Sequence, residues 1–131
     1  MRGYWLYDSD ETWFSIIVPE YDVLLDECSL DFIESKIDPL KKLAISLWEN
    51  GLVDAIQTSA ENGGVCSLEE INAGKDLVDI PFAIIKSEAI SKFNVDFFHQ
   101  KRLVPIKNNG TLIVNPDPEG FYKYWRAKYR E

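Results

Sequence analysis

Carboxylates and aromatic rings are concentrated at the start of this chain, and both residue types bind basic groups of other proteins. The first 35 residues contain one base, Arg2, and nine acids: Asp8, Asp10, Glu11, Glu20, Asp22, Asp26, Glu27, Asp31 and Glu34. The same stretch carries the aromatic residues Tyr4, Trp5, Tyr7, Trp13, Phe14, Tyr21 and Phe32. Carboxylates accept strong hydrogen bonds from Arg and Lys, and Trp and Tyr often anchor interfaces. The pattern indicates a surface for a basic protein partner.

This stretch accounts for the net charge of the whole chain. Its one base and nine acids give −8, which is also the formal net charge of all 131 residues. Residues 36–131 therefore balance, with 13 bases and 13 acids. Because excess negative charge repels phosphate groups, nucleic acid and anionic membranes are disfavoured as partners.

From this stretch we predict a partner-binding set of acids with aromatic anchors. The set comprises Asp8, Asp10, Glu11, Asp22, Asp26 and Glu27, with Trp5, Tyr7 and Trp13 as the anchors. An alternative stays open at this point, because surface acids often serve only solubility and strand aromatics often serve only the core. Self-repulsion among clustered acids costs stability, which favours a use for the cluster.

Motifs for catalysis, metals and cofactors are absent from the sequence. The single histidine, His99, has no neighbouring acid or marked serine that would suggest a triad. The run Asp8–Glu11 lacks the glycine and glutamate of a calcium loop, and Gly63-Gly64 is not followed by the Lys-Ser/Thr pair of a phosphate loop. We therefore predict no enzyme, metal site or cofactor. A hydrolase that uses two carboxylates is the enzymatic alternative.

Length and composition predict a single folded domain over residues 1–131. Hydrophobic residues make up 46% of the chain, as in ordinary globular proteins. The first apolar run ends at Asp8, too early for a signal peptide, and no segment approaches the ~20 apolar residues that cross a bilayer. Cys28 and Cys66 are too few for a disulfide framework. These features predict a cytoplasmic protein with reduced thiols.

Two hairpins are predicted from strand and turn residues. Residues 4–7 and 12–18 are aromatic and β-branched, with a polar turn between them. Near the other end, residues 103–107 and 111–115 flank Asn108-Asn109-Gly110, whose residue types favour a tight turn. Residues 80–85 form a further apolar run, and Pro81 marks it as an edge strand or the start of a strand.

The middle of the chain carries helical patterns. Apolar residues at helical spacing predict a helix from Leu30 to Trp48, with Asp38-Pro39 inside it. Because proline removes a helix donor, the pattern predicts either a kinked helix or, as we prefer, two helices, the second capped by Asp38. A further short helix is predicted over Leu52–Ala60. Ser67 and Glu70 form a capping box that opens another helix, and Asp117-Pro118 begins a C-terminal helix. The whole indicates an α+β fold: a single, mostly antiparallel sheet of four to five strands with helices packed on one face.

In overall style the sequence resembles the small cytosolic immunity proteins of bacterial toxin systems, of the contact-dependent growth inhibition type. The shared features are a single α+β domain, acidic balance, an aromatic-rich hairpin and no active-site motif. The resemblance implies binding of a cognate protein toxin, often a nuclease with a basic cleft, and blocking of its active site. The alternative is a regulatory or adaptor domain whose middle (Pro39–Gly74) forms a helix-turn-helix-like core, with Lys41 and Lys42 as its adjacent bases.

Overall fold

A computed structural model describes residues 2–7, 12–17, 34–59 and 65–115 of the chain. The chain divides into two compact units, Met1–Ile37 and Asp38–Glu131, which are described separately. The predicted α+β class is confirmed, because the described residues form an antiparallel four-stranded sheet and helices. The single-domain assignment stays a prediction. The C-terminal helix predicted from Asp117 lies outside the described residues.

The first unit contains the predicted N-terminal hairpin. Strand β1 (Arg2–Tyr7) pairs antiparallel with β2 (Thr12–Ile17), from Arg2 opposite Ile17 to Tyr7 opposite Thr12. The two strands form a two-stranded sheet of their own. The larger sheet therefore consists of four strands of the second unit, and the hairpin strands are not part of it.

The second unit is built on an antiparallel sheet in the order β3-β4-β6-β5. Its strands are β3 (Ile56–Gln57), β4 (Phe82–Lys86), β5 (Arg102–Ile106) and β6 (Gly110–Val114). The β5–β6 hairpin is confirmed, and its turn uses positive φ angles of 60° at Asn108 and 55° at Asn109. Asparagine tolerates this left-handed backbone better than most residues. Pro81 directly precedes β4, which lies between β3 and β6, so Pro81 marks a strand start and not an edge strand.

Helix α1 (Glu34–Glu49) is continuous, so the predicted division at Asp38-Pro39 is wrong. Pro39 lies inside the helix, where its missing N–H leaves one carbonyl of the early turns without its helical donor. The apolar stripe continues on both sides of Pro39, with Ile37, Ala44 and Trp48 all buried. Burial of this stripe outweighs the single lost hydrogen bond.

The capping box predicted at Ser67 is confirmed at the start of helix α2 (Leu68–Asn72). The Glu70 N–H donates to Ser67 Oγ over 3.2 Å, and the Ser67 N–H donates to Glu70 Oε1 over 3.3 Å. The predicted helix over Leu52–Ala60 is wrong, because Ile56 and Gln57 pair with β4. The Gln57 side chain also bonds the backbone of Cys66 and Val78, which ties this strand to the following segment.

Different helices cover the two faces of the sheet. Ile71 of α2 and Ala89 of α3 (Ser87–Ile90) join one buried cluster with Ala83, Ile85 and Ile113 of the sheet. On the opposite face, the indole ring of Trp48 lies directly over Gly110. The sequence predicts helices on one face of the sheet, whereas the central strands β4 and β6 are buried on both of their faces.

Gly110→Ala is expected to destabilise the second unit by roughly 1–3 kcal/mol, because overpacking a closed core costs about this much. A methyl group at this position would overlap Trp48 Nε1 and the adjoining ring atoms. Urea unfolding followed by tryptophan fluorescence measures the change. Gly51→Ala is a contrasting variant, because a methyl group there meets no atom within 4 Å and its loss reports only the strain of a φ of 70°, which Gly110 does not have. A loss below about 0.5 kcal/mol in Gly110→Ala would contradict the packing explanation.

Candidate functional site

The hairpin separates the three predicted aromatic anchors. Directly paired residues of an antiparallel hairpin share a face, and successive residues alternate between faces. Trp5 and Tyr7 therefore lie on one face with Phe14, which pairs with Trp5. Trp13 pairs with Leu6 and lies on the other face. The assignment of Trp5, Tyr7 and Trp13 as partner-binding anchors stays a prediction.

The hairpin also fixes the attachment of three predicted acids. Tyr7 and Thr12 form its last pair, and the four residues between them include Asp8, Asp10 and Glu11. These acids lie outside the described residues, as do Asp22, Asp26 and Glu27.

Nearly all of the net negative charge lies in the first of the two compact units. Met1–Ile37 contains nine acids against two bases, Arg2 and Lys36, which gives −7. Asp38–Glu131 contains 13 acids against 12 bases, which gives −1. The acidic segment of the sequence thus coincides with a compact unit that has its own hairpin and a net charge of −7.

A buried ion pair in the second unit was missed by sequence reasoning. Lys101 Nζ lies 2.7 Å from Asp79 Oδ2, and the side chains are 14% and 5% exposed. Asn115 Nδ2 donates to Asp79 Oδ1 over 3.3 Å. The Lys101 ammonium also lies 3.9 Å from the centre of the Phe97 ring, a cation–π contact. The available signal was Asp79 itself, a lone acid between the apolar residues Val78 and Ile80.

The position of this ion pair indicates a structural role. Asp79 directly precedes the Ile80-Pro81 peptide that leads into β4, and Lys101 directly precedes β5. The pair therefore connects the entries to two strands of the sheet. Its charges are already matched at close range, which leaves no charged group there to recognise a ligand.

A polar cleft of about 290 Å³ lies beside the end of α1. Its lining includes Trp48, Asp54, Lys86, Glu88, Asn108 and Asn109. Two of these side chains are already engaged, because Asn108 Nδ2 donates to the Trp48 carbonyl and Asn109 Nδ2 donates to Glu88 Oε1. Charges of both signs line the cleft, so it does not select a ligand by charge.

No family model, curated protein or solved structure matches this chain. The function must therefore be inferred from the residues of this chain.

Within the described residues, no three His, Cys, Asp or Glu side chains are grouped so that they could hold a metal ion. The exposed His99 follows a 3₁₀ turn over Val95–Phe98, near the start of β5. No helix in the described parts is long and apolar enough to cross a membrane.

The helix-turn-helix alternative is not supported by the elements present. It needs consecutive helices after Pro39, but α1 runs through that residue and is followed by strand β3. The next described helix, α2, has five residues. A recognition helix must place several side chains along a major groove, and no such pair of helices occurs among the described residues.

Cys66 is held in its neutral thiol form at physiological pH. Burial raises its pKa to about 11, and the negative charges of Asp76 and Glu70 act in the same direction. The thiolate is the nucleophilic form of cysteine, so a raised pKa makes the residue unreactive. Because ionisation is harder in the folded state, Cys66 supports folding below pH 9 and loses that contribution as the pH rises to about 11.

Alkylation of Cys66 is therefore expected to accelerate with pH through pH 10, with no plateau near pH 9. Iodoacetamide labelling of a Cys28→Ala variant, followed by mass spectrometry, measures the rate. Asp76→Asn removes one of the charges that raise the pKa, so its plateau should fall at lower pH. A plateau near pH 9 in the Cys28→Ala protein would contradict the assigned environment.

Proposed function

We propose that this chain is an immunity or inhibitor protein that binds a basic toxin and blocks its active site. The supporting observation is the division of charge: a unit of 37 residues carries −7 of the total −8 and includes an aromatic hairpin. The proposed place of action is the bacterial cytoplasm, where such a toxin would reach its target.

A nuclease is the toxin class that fits this charge. A nuclease cleft must be basic to hold a phosphate backbone, and carboxylates can occupy the positions of phosphates. Asp8, Asp10 and Glu11, which lie between the two hairpin strands in the sequence, are the proposed phosphate mimics, with Asp22, Asp26 and Glu27 in the same unit. Complementary charge also raises association rates, which suits an inhibitor that must act before damage occurs.

Co-expression tests the proposal directly. The product of the reading frame immediately upstream in the source genome should stop growth when expressed alone and should be tolerated together with this chain. The two products should co-purify, and the purified complex should lack the nuclease activity of the free toxin. A harmless upstream product, or toxicity unaffected by this chain, would overturn the proposal.

A further inference from the structure

Within the described residues, one edge of strand β2 is unpaired. In a two-stranded sheet, each strand pairs on one side only, and within the described residues β2 pairs with β1 alone. The outer side of β2 therefore has a row of backbone N–H and C=O groups that a further strand could satisfy. Its six residues, Thr-Trp-Phe-Ser-Ile-Ile, include neither a charged residue nor proline.

The other described edge strands have the features that prevent strand addition. Strand β5 contains Arg102 and Pro105, and charge and proline both oppose pairing at an edge. Strand β3 has only two residues. Strand β1 begins with Arg2 and Gly3, a charge and a residue of low strand propensity. Among the edge strands that the structure describes, Thr12–Ile17 alone combines length with uncharged, strand-forming residues.

Charge determines which strand this edge can accept. Two copies of the chain would bring two units of −7 together, and that repulsion opposes edge-to-edge pairing of β2 with itself. An extended segment rich in Lys or Arg would instead be attracted to the unit. Isolated two-stranded hairpins are marginally stable, so a third strand also stabilises the hairpin.

We propose that the basic partner adds an extended strand to the outer edge of β2, making the hairpin a three-stranded sheet. Backbone hydrogen bonds hold the added strand, and its basic side chains are attracted to the acids of the Met1–Ile37 unit. This inference rests on the proposed function for the identity of the partner, and it specifies how that partner is held.

A synthetic basic peptide tests the edge without the toxin. The probe alternates Lys and Val, and its control has the same sequence with N-methyl groups on two adjacent central residues, which block both peptide edges without changing the charge. Amide hydrogen exchange of the full chain is followed by NMR. The probe should slow every second amide of β2 about tenfold or more, because only alternate amides face the outer edge. Amides of β5 should be unchanged.

Each other outcome overturns strand addition at β2. Equal binding of the probe and its N-methylated control would reduce the contact to charge attraction. Protection of β1 or β5 amides would show that the probe binds a different strand edge. Absence of binding would show that the outer edge of β2 does not accept a strand. A dimer of the chain alone, detected by sedimentation with β2 protected, would identify a second copy as the occupant. None of these results involves toxicity, so they are distinguishable from failure of the co-expression test.

Discussion

Reversal of Asp8, Asp10 and Glu11 to lysine is expected to slow association with the basic partner by about 10- to 100-fold at low salt, because electrostatic steering accelerates association over this range. In the sequence, the three acids lie between the paired residues Tyr7 and Thr12. Their reversal changes the net charge of the Met1–Ile37 unit from −7 to −1. Stopped-flow mixing with the partner measures the association rate, and circular dichroism checks that the fold is retained.

A matched variant separates the position of the charges from their number. Reversal of Glu49, Asp54 and Asp96, all exposed residues of the second unit, changes the net charge by the same amount. This variant should lose no more than about threefold in association rate, since its changes lie outside the acidic unit. If both variants slow equally, overall charge and not the N-terminal unit controls association.

Asp79→Asn is expected to lower the free energy of unfolding of the protein by several kcal/mol. The substitution leaves the Lys101 ammonium next to a neutral amide in a site where the Asp79 side chain is 5% exposed. Removing one member of a buried ion pair typically costs about 3–5 kcal/mol, and the partial exposure of Lys101 favours the lower end. Urea unfolding measures the free energy of unfolding.

Adding Lys101→Met to Asp79→Asn tests the cause of that loss. The double variant removes the unpaired charge and keeps an amide that can still bond Asn115, so it should recover most of the stability. The coupling energy follows from the double-mutant cycle that includes Lys101→Met alone. A loss of less than about 1 kcal/mol in Asp79→Asn would mean that the ion pair is screened by water.

Local signals explain which elements the sequence predicted correctly. The Ser67–Glu70 capping box and the Asn108–Gly110 turn are determined by residues within a few positions of one another, and both occur as predicted. The N-terminal hairpin is similarly local, with strands of aromatic and β-branched residues on either side of a short polar connection.

The errors and omissions involve contacts between distant segments. The loss of one helix bond at Pro39 predicts a break, but burial of Ala44 and Trp48 sustains a continuous helix. Ile56 and Gln57 form a strand because β4, much later in the chain, is available to pair with them. The Asp79–Lys101 pair and the faces of Trp5 and Trp13 depend on tertiary position and register, which residue types alone do not give.

The salt dependence of association tests the central claim most directly. The claim is that the −7 unit at the start of the chain attracts a basic partner. Association of the unmodified chain with the product of the upstream reading frame is measured by stopped flow at about 20 and 300 mM salt, since the screening length changes severalfold over this range. We predict a fall in the association rate of at least about tenfold, with little change in the dissociation rate. An association rate that does not change with salt would contradict the account.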